Sequence, residues 1–212
     1  MEKFENLEMD KQQKILESAM KEFAEKGFEQ ASTNRIVKEA GIGKGMLFYY
    51  FNSKRDLYEY LLAYCMDIVV NEYFQLVDTS EADFIERLRH TAEVKMEVQA
   101  KHKYVFNFMG TFMLKKEEDL PAHLQKRYEE LYRLGNALLY EGIDTSLFRN
   151  DIDTEKAFKL IRWSIEGYQN ELLVRLEGQK MTEIDLDVYW QEFYEYLDIL
   201  KKSFYKEGES GR

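Results

Sequence analysis

The sequence contains few residues that break or cross-link a chain: one proline, one cysteine and 11 glycines among 212 residues. This scarcity favours long helices with short connections, because proline and glycine are the residues that most often end a helix. The lone Cys65 excludes an internal disulfide framework and a cysteine-rich zinc site, and it suits a reducing compartment. The sequence also lacks an apolar run long enough to span a bilayer and a signal-peptide core, so we expect a cytoplasmic protein without membrane contact.

Aromatic and charged residues are plentiful instead. The chain has 14 Phe, 15 Tyr and 2 Trp, with 45% hydrophobic and 33% charged residues, which is typical of a globular protein with a real core. Its net charge of −10 conceals a basic region: from Gln30 to Arg55, five basic residues and one acidic residue give +4, which leaves −14 for the rest. A local basic patch can attract phosphate even on an acidic protein, because salt screens charges beyond about 10 Å.

Apolar spacing and capping residues predict an all-α fold. The first strong helix runs from Asp10 to Lys26 and ends at Gly27. Two short helices follow, from Thr33 to Ala40 and from Lys44 to Phe51, on either side of a Gly-Ile-Gly turn; together they have the form of a helix-turn-helix. Longer helices are predicted over residues 54–77, 83–100, 104–117, 121–141, 154–177 and 184–205.

The segment from Ile15 to Leu57 carries a dense, ordered set of motif residues. They are Ala19, Phe23, Gly27, Ile36, Ala40, Gly41, Lys44, Gly45, Leu47, the run Tyr49-Tyr50-Phe51-Asn52-Ser53-Lys54, and Leu57. In these residues the segment resembles the DNA-binding domain of the TetR family of bacterial transcription regulators. The resemblance implies an N-terminal three-helix helix-turn-helix domain over residues 1–53, a larger helical ligand-binding and dimerisation domain over 54–207, and a flexible tail over 208–212.

Three positions depart from the family pattern. Gly43 stands where a small hydroxyl residue is usual, which removes a helix cap, and Phe48 replaces a usual tyrosine. Tyr50 stands where many members have histidine. We expect these differences to affect affinity or operator choice, not the fold.

A short helix of this kind fits the major groove, where its first residues reach base edges. Lys44 supplies charge at its start, Gly45 lets the backbone approach closely, and Met46 offers an apolar contact. We take Leu47 and Phe51 as core, and Tyr50 as the best aromatic candidate for DNA. The full predicted DNA-binding set is Thr33, Asn34, Lys44, Gly45, Met46, Phe48, Tyr49, Tyr50 and Lys54.

The helical body is expected to hold an effector pocket and a dimer interface. The predicted effector-binding residues are Tyr64, Phe108, Met109, Phe112, Tyr128, Trp163 and Tyr168, although a tightly filled core is the better explanation for any single one of them. A buried carboxylate among Glu93, Glu97, Glu166 and Glu171 would favour a cationic effector, but solvated helix faces explain most glutamates, and an acyl chain or another neutral apolar molecule fits at least as well. The predicted dimer interface comprises Phe158, Ile165, Trp190, Phe193, Leu197, Leu200 and Phe204, and the alternative is that these stripes are intrachain core.

Catalysis has little support in the sequence. The three histidines lack the i, i+4 pairing of a metal-binding helix, and no nucleophile elbow, phosphate-binding loop or dinucleotide fingerprint is present. We therefore expect no enzyme activity, no cofactor and no metal. The sequence predicts a homodimeric repressor that binds a palindromic operator and is released by a small, largely apolar effector. The alternative is a helical carrier or enzyme whose N-terminal domain is a relic.

Overall fold

The computed structural model describes residues 2–115 and 120–206, and every regular element in these ranges is helical. No described helix is long and apolar enough to cross a membrane. The α-helices are α1 (Glu2–Glu5), α2 (Met9–Gln30), α3 (Thr33–Ala40), α4 (Lys44–Tyr50), α5 (Lys54–Ile68), α6 (Phe84–Lys101), α7 (Lys103–Lys115), α8 (Ala122–Tyr140), α9 (Thr154–Leu176) and α10 (Asp187–Phe204). Single π or 3-10 turns lie at Val69–Tyr73, Phe74–Leu76, Thr145–Leu147 and Met181–Glu183.

Two glycines set the geometry of the N-terminal helices. Gly27 has φ 69° and interrupts α2 at the position where the sequence predicts its end, so residues up to Gln30 form a separate turn beyond a kink. Gly41 has φ 70° and ends α3 in the left-handed conformation. The helix-turn-helix prediction for Thr33–Ala40 and the following short helix is confirmed, with α4 one residue shorter than expected.

The longer helices follow the predicted order with shifted ends. The helix predicted over residues 54–77 is regular only to Ile68 and then loosens into the π and 3-10 turns. Asp83 caps α6 by accepting hydrogen bonds from the amides of Ile85 and Glu86, and Asp153 accepts from the amide of Lys156 at the start of α9. The predicted end of the third long helix at residue 117 and the predicted tail at 208–212 lie outside the described residues.

The chain divides into two compact units. The first comprises Met1–Asn71, Gln99–Leu131 and Gly178–Ile184. Its core contains the predicted apolar face of α2, namely Ile15, Ala19 and Phe23. The α7 side chain of Phe108 packs against this face, with its ring 6.1 Å from Phe23, and the Thr111 hydroxyl donates to the Ala24 carbonyl at 3.0 Å.

The second unit comprises Glu72–Val98, Tyr132–Glu177 and Asp185–Arg212. Phe84, Ile161 and Leu197 are fully buried at its centre. Arg87 is buried beside them, and its guanidinium donates to the backbone carbonyls of residues 79, 81, 138 and 141 at 2.5–3.3 Å. These hydrogen bonds compensate for the burial of a charge and join the start of α6 to the end of α8.

Candidate nucleic-acid interface

The turn between α3 and α4 is built by burying one side of each short helix. Ile36 and Val37 of α3 and Leu47 of α4 point into the core of the first unit. The Ile42 amide donates to the Val37 carbonyl at 3.0 Å, which closes the turn after Gly41. As a result, the opposite side of α4 faces solvent.

An ion pair between the exposed Arg35 and the buried Glu22 fixes α3 against α2. The Arg35 guanidinium donates to both carboxylate oxygens of Glu22, and the Ser32 amide donates to the same carboxylate at 2.7 Å. Burial of Glu22 opposes its ionisation, but the hydrogen bonds from Arg35 and Ser32 outweigh it and hold the pKa of Glu22 below its usual range. Arg35, although it contributes to the basic region, is therefore a structural residue.

The solvent side of α4 contains Lys44, Gly45, Met46 and Tyr49, all of them exposed. Tyr49 has 58% of its surface exposed, an unusual state for a large aromatic residue. A Cβ atom placed on Gly45 would meet nothing within 4 Å, so the backbone is open to an approaching partner. No described carboxylate pairs with Lys44.

The exposure of the aromatic residues in and just after α4 differs in part from the prediction. Leu47 and Phe51 are buried as expected. Phe48 and Tyr50 are half-buried, and the Tyr50 ring packs 5.7 Å from Phe4. The most accessible aromatic on this surface is therefore Tyr49, not Tyr50.

Thr33 and Asn34 lie in the first turn of α3, half-buried and exposed respectively. Ser32 precedes them as the N-cap, yet its side chain makes no capping hydrogen bond. Lys38, in the last turn of the same helix, is exposed and has no ion-pair partner among the residues described. Lys38 is one of the five basic residues between Gln30 and Arg55, but it is not in the predicted DNA-binding set.

Lys54 does not belong to this open surface, contrary to the prediction. Its ammonium donates to the carbonyls of Phe28, Glu29 and Ala31 at 2.7, 3.1 and 3.3 Å. It also lies 4.6 Å from the centroid of the Phe28 ring. All three ammonium donors are thus engaged at the end of α2, where carbonyls lack helical partners, and Lys54 acts as a structural cap.

The predicted effector-binding residues do not form one group. Five of them, Tyr64, Phe108, Met109, Phe112 and Tyr128, belong to the core cluster of the first unit or pack against it. The other two lie in the second unit: Trp163 is 61% exposed, while the Tyr168 hydroxyl donates to the Tyr189 carbonyl at 2.9 Å. A filled core therefore accounts for the α7 residues, and Trp163 belongs to an outer surface.

A cation and an aromatic ring lie close together in the second unit. Lys95 of α6 is exposed, and desolvation by the surrounding protein lowers the pKa of its ammonium. The ammonium lies 5.6 Å from the ring of Trp190, and no carboxylate in the described ranges pairs with it. Tyr73 is half-buried, and burial raises its pKa too.

The predicted dimer residues lie on the inner side of their helices. Ile165, Phe193 and Leu197 are buried in the core of the second unit, and Phe158, Trp190, Leu200 and Phe204 pack against that core. Ile165, Phe193 and Leu197 are thus part of the intrachain core, whereas the other four keep accessible surface and their place in a dimer interface stays a prediction. The exposed apolar residues on the outer side of α9 and α10 are Leu160, Trp163, Val174, Val188, Tyr196 and Ile199.

Cys65 is buried, as its apolar surroundings predict, and its thiol lies 3.7 Å from the Met20 sulfur. Burial raises its pKa, so the reactive thiolate is disfavoured. In the part of the chain that the structure describes, no three His, Cys, Asp or Glu side chains are placed to hold a metal ion.

The N-terminal helices are similar in sequence to those of known bacterial regulatory proteins. Residues 15–61 match the family model of bacterial regulatory proteins, tetR family. An HTH-type transcriptional regulator of Staphylococcus aureus (strain USA300) is 27% identical over 175 residues, which cover 77% of this chain and 91% of that protein. The HTH-type transcriptional repressor KstR2 of Mycolicibacterium smegmatis is 27% identical over 151 residues, covering 70% and 72% of the two chains.

The fold has a matching counterpart among solved structures. A TetR family transcriptional regulator from Chloroflexus aurantiacus superposes with a TM-score of 0.63 at 22% identity, covering 98% of this chain and 99% of the other. The all-helical architecture with an N-terminal helix-turn-helix is thus confirmed.

Proposed function

We propose that this chain, whose residues 15–61 match the family model of bacterial regulatory proteins, tetR family, is a cytoplasmic repressor of that family that binds a palindromic operator as a homodimer and is released by a small-molecule effector. The observation that carries the DNA-binding part is the open side of α4, where Lys44, Met46 and Tyr49 are exposed around a glycine that leaves the backbone accessible. In the major groove, such a surface offers a cation, an apolar contact and a phenolic hydroxyl to base edges and phosphates.

The experiment that tests this function is selection of genomic fragments on the purified protein, followed by sequencing of the bound DNA. A dimer with two recognition helices about 34 Å apart should enrich a palindrome whose half-sites are one helical turn apart. Affinity for that palindrome should fall steeply with salt, because binding releases counterions from phosphates. A folded protein that enriches no sequence at low salt would support the alternative, a carrier or enzyme with a relic DNA-binding domain.

The homodimer is supported by apolar side chains that stay exposed among the described residues. Leu160, Trp163 and Gly167 follow one another at spacings of three and four on the outer face of α9. On α10, Tyr196 and Ile199 are likewise exposed, Ile199 by 58%. The two helices pack together through the rings of Tyr168 and Tyr196, 5.3 Å apart, so a twofold partner could cover both outer faces at once.

Replacing Trp163 with Glu should dissociate the dimer, because a carboxylate would be buried unpaired at the interface. The matched control is Gln169→Glu, which adds the same charge at an exposed position on a different side of α9. Sedimentation velocity should give a monomer for the first variant and a dimer for the second. If the Trp163→Glu protein sediments as an intact dimer, this face is not the interface.

We further propose that the effector has an apolar body and an acidic group that approaches Lys95. A lysine whose charged form is disfavoured, and with which no described carboxylate pairs, favours an anionic ligand over the cationic one that the sequence left open. The ring of Trp190 beside it offers apolar surface to the rest of the molecule.

Thermal unfolding with a panel of long-chain carboxylic acids, the matching alcohols and the matching amines tests this chemistry. Acids should raise the melting temperature of the wild type more than alcohols or amines, since a ligand of the folded state stabilises it by mass action. Lys95→Met, which keeps the length of the side chain, should remove the preference for acids. Stabilisation by the amines alone would contradict the assignment.

A further inference from the structure

Lys3 and Phe4 lie against α4, a contact that no pattern in the sequence predicts. α1 is a single helical turn, and the amide of Leu7 donates to the Phe4 carbonyl at 3.0 Å. The side-chain amide of Gln12 in α2 then donates to the carbonyls of Glu5 and Leu7 at 3.0 and 2.6 Å. These hydrogen bonds fix the path of the chain from α1 into α2.

Phe4 anchors this segment in the core. It is 0% exposed, and its ring lies 4.9 Å from Phe51 and 5.5 Å from Tyr60. A third ring, that of Tyr50 in α4, lies 5.7 Å away at an edge-to-face angle. Contacts of this kind with three rings give the segment a defined position beside α4.

Lys3, the residue before this anchor, lies on the solvent side. Its ammonium is 4.2 Å from the centroid of the Tyr49 ring, a cation–π contact with the most exposed aromatic residue of α4. The ring covers one side of the ammonium and leaves donors free, and no carboxylate among the described side chains pairs with it. By contrast, the Lys11 ammonium of α2 is engaged by Glu8 at 2.7 Å.

We propose that residues 2–7 form an N-terminal arm that belongs to the DNA-binding surface, and that Lys3, held over Tyr49, binds a backbone phosphate beside the groove that α4 enters. The inference rests on the proposed DNA-binding function. It adds a cation that lies outside the helix-turn-helix segment, and it gives Tyr49 a second role, that of positioning Lys3. A phosphate contact carries no sequence information, so Lys3 contributes to all duplexes about equally.

The test compares wild type, Lys3→Ala and Lys3→Arg by titration with two duplexes of equal length, the palindrome recovered by genomic selection and an unrelated sequence. For Lys3→Ala, the slope of log affinity against log salt should be less steep by about 0.9 for each protomer bound, on both duplexes. Lys3→Arg should keep the wild-type slope, because a guanidinium also stacks on aromatic rings and binds phosphate. Unfolding curves of the variants should coincide with that of the wild type, since Lys3 is exposed.

Lys126→Ala is the matched control, because Lys126 is an exposed lysine of α8 and its loss changes the net charge equally. Equal flattening in both alanine variants would mean a general charge effect and would overturn the proposal, as would an unchanged slope for Lys3→Ala. A double-mutant cycle with Tyr49→Leu tests the positioning role: the two losses should combine to less than their sum. If the wild type itself binds neither duplex, it is the proposed function that fails, and not this inference alone.

Discussion

Lys44 and Lys54 are ten residues apart, and both lie at the first position of a helix in the same basic region. In the folded chain they belong to two different regions. Lys44 opens α4 on the exposed surface without an ion-pair partner in the described part of the chain, whereas the Lys54 ammonium is held by three backbone carbonyls at the end of α2. The difference shows that a lysine at a helix start has no fixed role: where unpaired carbonyls lie within reach, they engage its ammonium and make it a structural cap.

The largest effect expected from this comparison is on stability. Lys54→Ala should lower the free energy of unfolding by about 2–3 kcal/mol, because carbonyls at the end of α2 lose a charged donor. Urea denaturation measures this loss, and Lys126→Ala serves as the exposed control with an expected change within about 0.5 kcal/mol. When equal concentrations of folded protein are compared, Lys54→Ala and the wild type should show the same slope of log DNA affinity against log salt. If Lys54→Ala flattens the salt dependence of DNA affinity and leaves the stability unchanged, Lys54 contacts phosphate after all.

Glu22 offers a second way to test the structural region. Glu22→Gln should cost about 1.5 kcal/mol of unfolding free energy at neutral pH, because the buried carboxylate loses its charged hydrogen bonds with Arg35. The pKa of Glu22 is lowered in the folded state, so the charge stabilises the fold above the ordinary glutamate pKa of about 4.3 and this stabilisation is lost as the pH falls through the folded pKa.

The difference between the wild type and Glu22→Gln should therefore be full at pH 7 and shrink below about pH 4. Glu39→Gln is the control, because Glu39 pairs with Lys21 at 2.6 Å on the exposed surface, where ion pairs contribute little. A gap between wild type and Glu22→Gln that does not depend on pH would mean that packing, not charge, joins α3 to α2.

The smallest effect on stability is expected on the exposed surface. Lys44→Ala should leave the free energy of unfolding within about 0.5 kcal/mol of the wild type. Its salt slope for DNA binding should nevertheless flatten by about 0.9 per protomer, as measured by titration at several salt concentrations. Lys44→Ala and Lys54→Ala would then have opposite phenotypes. A Lys44 variant with wild-type salt dependence would show that α4 does not approach the phosphates as proposed.

Much of the architecture could be predicted because it depends on local signals. Gly27 interrupts α2 and Gly41 ends α3, both with a positive φ, Asp153 caps α9, and the i, i+4, i+8 spacing of Ile15, Ala19 and Phe23 identifies the buried face of α2. The exposed part of the candidate interface, Lys44 to Met46 with Tyr49, also followed from the motif. The short helix α1 did not, since a single turn has too little periodicity to be recognised and depends on Phe4 reaching the core.

The assignment of helix faces failed where one helix has two apolar sides. On α9 both Ile165 and Trp163 are apolar, but Ile165 is 2% exposed and Trp163 is on the outer surface. On α7 the sequence shows a row of large side chains without showing that α2 fills the space opposite. Periodicity indicates that a face is apolar, but whether the same chain, a partner or a ligand covers it depends on contacts distant in sequence.

By itself, the sequence determined that this protein is helical, where most of its helices lie, and that its N-terminal segment is a helix-turn-helix, because glycine conformation, capping and apolar spacing act over a few residues. The tertiary structure alone decided which cations are open to DNA. Arg35 and Lys54 are engaged by Glu22 and by carbonyls of residues 28–31, while Lys3 comes to lie over Tyr49, 46 positions away. Each of these outcomes depends on which polar groups folding brings within about 3–4 Å, the range in which hydrogen bonds and ion pairs form.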